Sequence, residues 1–428
     1  MNIENLYRLF EAHPTVTTDT RNCLPGAIFI ALKGENFNGN SFIHQALEAG
    51  CAYAVTDEAQ YAVTDRIIPV DDCLKTLQQL ANCHRQKMGT PIIGITGTNG
   101  KTTTKELAAA VLSSQYHTLY TRGNLNNHIG VPLTLLQLKP EHEIAIIEMG
   151  ANHPGEIKTL ADIAMPDYGL ITNVGKAHLE GFGSFEGVIR TKGELYDYVR
   201  ETKGKIFIHH ENPYLNDIAQ GIDKVFYGQE SGSFVWGNIA GQSPFTVLDW
   251  HCAEGSYHLS TQLIGAYNLD NILAAIAIGK FFGITPAHIN EAIAGYRPQN
   301  NRSQLKETAH NHLIVDAYNA NPASMMAALE NFRDISASRK ALILGDMREL
   351  GGNSREEHRK VVDFICAHPF ERVFLCGACF SEAASGVFPV FPCTEQLVER
   401  LKQEHLQGYY VLIKGSRGME MEKCIEVL

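Results

Sequence analysis

Ile92-Ile93-Gly94-Ile95-Thr96-Gly97-Thr98-Asn99-Gly100-Lys101-Thr102-Thr103-Thr104-Lys105-Glu106 is the stretch that decides the fold. An apolar run stops at a glycine-flanked turn, which ends in Lys-Thr and opens into helical spacing at Leu107, Ala108, Val111 and Leu112. That order predicts a strand, a phosphate-cradling loop and a helix N-terminus. Glycines let backbone N–H groups converge on phosphate, and the helix dipole favours its negative charge. The Lys101 ammonium can reach terminal phosphates and the Thr102 hydroxyl can ligate magnesium. The Walker pattern is incomplete, since its first glycine would fall at Ile95. An ordinary glycine turn before a helix is the bland alternative, and the strand–loop–helix context speaks against it. The stretch predicts that the chain handles a nucleoside triphosphate.

Around this loop lie 428 residues, a length that suggests about two to four domains. With 44% apolar and 19% charged residues, the chain can bury a sizeable core. Its net charge of −11 and lack of a long basic block make nucleic acid or an anionic membrane surface poor partners. Met1-Asn2-Ile3-Glu4-Asn5 lacks the basic-then-apolar build of a signal peptide, and no apolar run is long enough to span a bilayer. The ten cysteines are scattered. Cys376-Gly377-Ala378-Cys379 is the lone C-x-x-C, half of a zinc site at most, and reads as thiols buried at a strand end. Reduced cysteines fit a cytoplasmic enzyme.

Three blocks follow. Residues 1–88 hold short apolar runs (27–32, 52–56, 67–70) and helical segments (41–49, 74–86), a small α/β unit. Met88-Gly89-Thr90-Pro91 reads as a junction. The block 89–296 begins at the phosphate loop and continues with apolar runs at 143–149 and 168–174 around a helix-like 154–164. Five closely spaced β-rich pieces (206–209, 225–227, 234–236, 245–250, 257–263) suggest an antiparallel flank, and 268–282 reads as a buried helix. In 297–428, four apolar strands end in polar or glycine residues, at Asp316, Asp346, Gly377 and Lys414-Gly415. Helical segments such as 323–332 and 355–367 separate them, as in a Rossmann-like parallel sheet. The fold class is therefore α/β in three domains, the central one a mostly parallel sheet with an antiparallel flank.

Ligands gather outside the carboxyl ends of parallel strands. In the central block those ends carry Gly97–Thr103, then Glu148, then Asn173 with His178 just beyond, all expected along one edge. A carboxylate and an imidazole beside the Thr102 hydroxyl make a credible magnesium site. Asn268 and Asn271 share a helix face, where Asn268 reads equally as a cap or an adenine contact. Asp316 suits a ribose hydroxyl, and Arg302 could bring a cation to the phosphates from another domain. Lys192, on a helical stretch, reads by default as a solvated surface lysine.

Taken in order, these motifs resemble the Mur ligases, ATP-dependent amide ligases of peptidoglycan precursor synthesis. The resemblance covers essentially the whole chain. Thr18-Asp19-Thr20-Arg21 with Gly26–Gly34 is similar to the family's uridine-nucleotide-binding domain. Gly97–Thr103, Gly123-Asn124-Leu125-Asn126-Asn127, Glu148-Met149-Gly150 and Asn173–His178 match its central ATP-binding P-loop domain. The loop has Thr98 where many members have serine, and Thr98 offers the same hydroxyl. Lys192 falls in Thr191-Lys192-Gly193-Glu194, where the family places a lysine that becomes carbamylated by CO2 and helps hold a second magnesium. Asp316-Ala317-Tyr318-Asn319-Ala320-Asn321-Pro322 and Gly345–Gly351 look like the member that adds D-Ala-D-Ala, and the Asp-Asn-Pro-Arg signature of the diaminopimelate-adding relative is absent.

The resemblance implies ATP, two Mg²⁺ and a carbamate on Lys192 as cofactors, with UDP-MurNAc-tripeptide and D-Ala-D-Ala as substrates, and a monomeric protein. It implies catalytic roles for Lys101, Glu148, His178, Lys192 and Arg302. ATP contacts would come from Gly97, Thr98, Asn99, Gly100, Lys101, Thr102, Thr103, Asn268, Asn271, Arg302 and Asp316. Thr102, Glu148, His178 and carbamylated Lys192 would be metal ligands. Asp19, Thr20, Arg21, Asn126, Asn127, Asn319, Asn321 and Lys414 would meet substrate; Arg21 is also the candidate to offset the acidic surface for an anionic UDP group. Lys414-Gly415-Ser416-Arg417 reads equally as a strand-end turn. The competing readings are another ligase of the superfamily, adding diaminopimelate or lysine or extending folate, and a nucleotide switch that ligates nothing.

Overall fold

The computed structural model describes residues 2–242, 244–299, 301–384 and 386–428. Three main sheets follow one another along the chain. The first is a parallel four-stranded sheet in the order Val16–Thr17, Ile28–Ile30, Tyr53–Thr56, Ile67–Pro69. The helices Ile3–Ala12 and Cys73–Met88 accompany it. The first of these was not anticipated, although Asn2 caps it and Leu6, Tyr7 and Phe10 share its buried face.

The central sheet has nine strands. From one edge to the other they run Gly255–Ile264, Phe245–Cys252, Val235–Gln242, Asp223–Gly228, Lys205–His209, Tyr168–Ile171, Ile92–Thr96, Ile144–Glu148, Thr118–Tyr120. Ile92–Thr96 lies between the strands ending near Glu148 and Ile171, so the three expected strand ends stand side by side. It is also where the strand order reverses, the point at which open α/β sheets bind ligands. The expected antiparallel flank needs correcting in part. Lys205–His209 and Asp223–Gly228 pair in parallel, and antiparallel pairing begins only between Val235–Gln242 and Phe245–Cys252. The helix Pro213–Ile218 supplies the crossover that keeps the first two parallel. Leu269–Phe281 is buried almost all round, as its lack of polar periodicity demands, and packs against the phosphate-loop helix Lys101–Leu112.

The third sheet runs Gln304–Glu307, His312–Asp316, Tyr410–Lys414, Lys340–Gly345, Arg372–Cys376, Val390–Phe391, antiparallel only at its first pair. The last long strand inserts between the first two parallel ones, so Asp316, Lys414 and Asp346 emerge along one edge. Cys376 ends its strand buried, as read for that motif, but Cys379 is half-buried and lies on the helix Ala378–Ala384 that follows. No described helix is long and apolar enough to cross a membrane.

The first and central sheets share one apolar cluster, from Leu6, Phe10 and Leu77 to Leu135, Ile157 and Leu160. Arg85 fastens this junction. Its guanidinium donates to the carbonyls of Ala164 (3.1 Å) and Met165 (3.0 Å) and to Asp167 (2.9 Å). Asp167 in turn accepts the Ile92 N–H at 2.8 Å, tying the first residue of the phosphate-loop strand to the same knot. Arg85→Ala leaves those carbonyls unpaired and is expected to destabilise the protein by about 2 kcal/mol, read as a lower denaturation midpoint in urea.

Candidate active site

Glycine is required twice in the phosphate loop. Gly97 has φ +141° and a Cβ there would lie 2.0 Å from Thr172 Oγ1; Gly100 has φ +78° and its Cβ would lie 2.3 Å from Asn271 Oδ1. The backbone between them is held by the neighbouring strand end. The Asn99 N–H donates to Asn173 Oδ1 (2.9 Å), the Thr98 N–H to the Asn173 carbonyl (2.9 Å), and Thr172 Oγ1 to the Asn99 carbonyl (2.6 Å). Lys101 turns its ammonium onto the carbonyls of Gly97 (2.7 Å) and Thr98 (2.9 Å). Burial, with Arg302 nearby, lowers its pKa to about 8 against the opposing pull of Glu148.

Glu148 is almost fully buried. Its Oε1 accepts from Thr102 Oγ1 (3.1 Å) and Asn126 Nδ2 (2.8 Å), while Oε2 has no hydrogen-bond partner among the described residues. A buried carboxylate oxygen without a partner, next to a hydroxyl and a phosphate loop, is a donor set that suits Mg²⁺. Lys105 was missed as part of this group. It is wholly buried, donates to the Thr121 carbonyl at 2.7 Å and stands 3.9 Å from Glu148 Oε2. Its place one helical turn after Lys101 was the available signal.

His178 follows the third strand end in left-handed backbone (φ +50°) and points Nδ1 at the carboxylate of Glu349, from the third sheet. Burial lowers its pKa, with Glu349 opposing. Lys192 is no surface lysine: it is 2% exposed, with its ammonium 5.1 Å from the Phe182 ring centre, a ring that His178 also meets edge-on. Its ammonium donates to the Ala151 carbonyl at 3.3 Å. Burial first and Lys101 second bring its pKa down to about 7. Such an amine is largely neutral at pH 8, the form that adds CO2.

A cavity of about 1190 Å³ joins the strand ends of the central and third sheets. It takes in Thr98–Thr103, Glu148, His178, Asn126, Asn127, Asn268, Asn271, Arg302, Asp316, Asn319, Asn321 and Lys414, but not the buried Gly97 and Lys192. Arg302 stacks on Tyr318 (3.6 Å), and its buried Nε has no hydrogen-bond partner among the described residues. Lys414 is buried and donates to Asp316 and to the Asn319 carbonyl, so both predicted contacts hold each other. Asn321 caps its own helix and donates to Asn99 Oδ1 at 2.7 Å, bridging the two sheets. Asn127 accepts from the N–H groups of Ile129 (3.1 Å) and Gly130 (2.9 Å). Asn268 makes no cap bond; its amide donates to the Ile264 carbonyl (2.9 Å) and accepts from Asn271 (3.0 Å).

The first sheet contributes only Leu74 and Gln78 to this cavity. Asp19, Thr20 and Arg21 lie outside it on an exposed turn, where Arg21 grips Asp19 through Nε (2.9 Å) and Nη2 (2.7 Å). A second hollow of about 700 Å³, lined by Arg85, Asp167 and Lys205 among others, sits at the opposite ends of the central strands. The carboxyl-end cavity is the candidate site, because there the loop and both sheets converge.

Three family models match the chain: Mur ligase family, catalytic domain (residues 14–85), Mur ligase middle domain (95–279), and Mur ligase, glutamate ligase domain (301–417). The chain is 36% identical to UDP-N-acetylmuramoyl-tripeptide--D-alanyl-D-alanine ligase of Bacillus subtilis, over 96% of this chain and 92% of that protein. Among solved structures it resembles MurF from Acinetobacter baumannii (29% identity, TM-score 0.87, covering 98% of this chain and 97% of that one). It also resembles MurF ligase from Thermotoga maritima in complex with ADP (26% identity, TM-score 0.86, covering 96% of each).

Two outcomes are expected from this geometry. With ¹³C-bicarbonate, the protein should give a carbamate carbon resonance that Lys192→Arg lacks and that grows as pH rises through about 7, the pKa of the buried amine. Glu148→Gln keeps the shape but removes the charge, and should weaken Mg²⁺ binding about 10- to 100-fold in calorimetric titration with a non-hydrolysable ATP analogue.

Proposed function

The chain belongs to the Mur ligase family, and on that premise we propose that it joins D-alanyl-D-alanine to UDP-N-acetylmuramoyl-tripeptide with hydrolysis of ATP to ADP and phosphate. A carboxylate is anionic and lacks a leaving group, so it does not condense with an amine in water. ATP removes that obstacle. A carboxylate oxygen of the tripeptide attacks the γ-phosphorus and ADP departs, leaving an acyl phosphate. The dipeptide amine attacks the acyl carbon, loses a proton, and the tetrahedral intermediate expels phosphate.

The protein's contribution is positioning and charge stabilisation. Lys101 and the loop N–H groups would bind the phosphates, with Gly97, Thr98, Asn99, Gly100, Thr102 and Thr103 forming the cradle. Asn271 lies against Gly100 and donates to Asn268, and these two with Asp316 would contact the nucleotide. Arg302 arrives from the third sheet with its Nε unpartnered among the described residues, a donor for a transferring phosphoryl group. Thr102 and Glu148 would hold one Mg²⁺, and His178 with carbamylated Lys192 a second; bound there, magnesium neutralises phosphate charge. We assign residues 1–88 to the UDP end of the substrate through Asp19, Thr20 and Arg21, 89–296 to ATP, and 297–428 to the incoming dipeptide through Asn319, Asn321 and Lys414. Asn126 and Asn127 line the passage between. The protein would act as a cytoplasmic monomer.

The observation that carries this reading is the single cavity in which a phosphate loop meets cations and amides of a separate sheet. A nucleotide switch needs no such second wall. With purified components, phosphate release should require UDP-MurNAc-tripeptide and D-Ala-D-Ala together. Release independent of both would favour the switch, and release with diaminopimelate or lysine as acceptor would favour the other ligases.

A further inference from the structure

Among the described residues, Asp346, His358 and Cys379 form the one group of three or more His, Cys, Asp or Glu side chains whose ligand atoms lie within 4.8 Å of one another. Their bonding argues against a metal. The Asp346 carboxylate accepts the N–H groups of Cys379 (2.9 Å) and Phe380 (3.0 Å). His358, fully buried, directs Nδ1 at the Ser354 carbonyl (2.7 Å), which dictates a proton there, and its Nε2 accepts the Met347 N–H at 3.0 Å. A cation on Nε2 would orphan that buried N–H.

What the cluster does is fix a loop. Three successive N–H groups are held: Asp346 by the Cys376 carbonyl (3.0 Å), Met347 by His358, and Arg348 by Ser416 Oγ (2.8 Å). The Leu350 side chain is anchored in the apolar cluster of the third sheet. Between these anchors Glu349 is forced into left-handed backbone (φ +64°) and meets His178, itself left-handed at φ +50°. Side chains other than glycine rarely adopt that region, and here two that do so touch each other across the gap between sheets.

We propose that Glu349 is a positioning residue that docks the third sheet on the central one at His178, and that buried His358 aims it. The kinetic arm of the test rests on the ligation reading; the compaction arm does not. In full-length protein, Glu349→Ala should lower kcat for phosphate release about five-fold, as expected for a partly exposed polar contact, with KM for ATP changed less than about two-fold. It should also reduce the compaction that a non-hydrolysable ATP analogue produces in solution X-ray scattering. His358→Gln places an amide oxygen where Nε2 accepts and should stay near the parent, whereas His358→Asn is too short and should lose about ten-fold in kcat. Parental kcat and compaction in Glu349→Ala would overturn the proposal, as would equal losses in His358→Gln and His358→Asn. So would activity lost to a chelator and restored by Zn²⁺ alone in the presence of Mg²⁺. Glu349 is 56% exposed, so its substitution does not threaten folding and decides the matter if a His358 variant fails to fold. Absence of ligation in the parent would strike the proposed function, while compaction would still decide the docking role.

Discussion

The phosphate loop owes its shape to its neighbour. A glycine-flanked loop leaves the regular ladder, so its backbone groups need partners elsewhere. Here residues 172–175 of the adjacent strand end supply them: Asn173 bonds both the N–H and the carbonyl of Asn99, and the Thr98 hydroxyl accepts from the Gly175 N–H at 3.0 Å. Thr172 sits so close to Gly97 that no side chain fits there. From below, the Asn271 amide presses on Gly100 and accepts from Thr104 at 3.0 Å. The loop backbone is thus held by the protein's own bonds, while Lys101 has to leave the Gly97 and Thr98 carbonyls to meet a phosphate.

This preorganisation concentrates charge where burial makes it costly. Lys105 and Lys192 are withdrawn from water and Lys101 partly so, with Glu148 the central counter-charge. Lys105 keeps a carboxylate partner in Glu106 at 2.7 Å, but Lys192 has none in contact among the described residues, and desolvation brings its amine close to neutrality. A carbamate formed on that neutral amine would give the position a negative charge able to hold a metal.

Much of this was legible because strand and loop chemistry are local. The run from Ile92 to Thr103 announces a strand, a turn and a helix, and the polar residues at Glu148 and Asn173 mark the ends of its neighbours. The parallel pairing of Lys205–His209 and Asp223–Gly228 was not legible, since short apolar runs look alike in either direction and the deciding feature is a six-residue helix between them. Lys192 could be recognised only by family resemblance, because its burial depends on Phe182 and on helix packing that no spacing encodes. Glu349 was missed for a related reason: its partner lies on another sheet, and a surface glutamate in a loop looks the same whatever it meets. Arg21 illustrates the converse. Its basic character was plain, but its guanidinium is engaged by Asp19 two residues away.

The balance of charge explains why the site is divided between sheets. The chain carries a net −11, yet a triphosphate and a nucleotide-linked acid are both anions. Exposed negative charges farther than about 8 Å are largely screened at physiological salt, so the local cations decide. Those lining the cavity are Lys101 from the central sheet and Arg302, Arg348, Lys414 and Arg417 from the third. Lys414 is already neutralised by Asp316, and Arg302 and Arg417 both lie against the ring of Tyr318. Neither sheet alone can offset the charge that develops when a phosphoryl group passes from one anion to another. Docking the sheets therefore completes the electrostatics of the reaction as well as its geometry, and it removes the water that would hydrolyse an activated acid. Any contact that sets how closely the sheets approach acts on both at once.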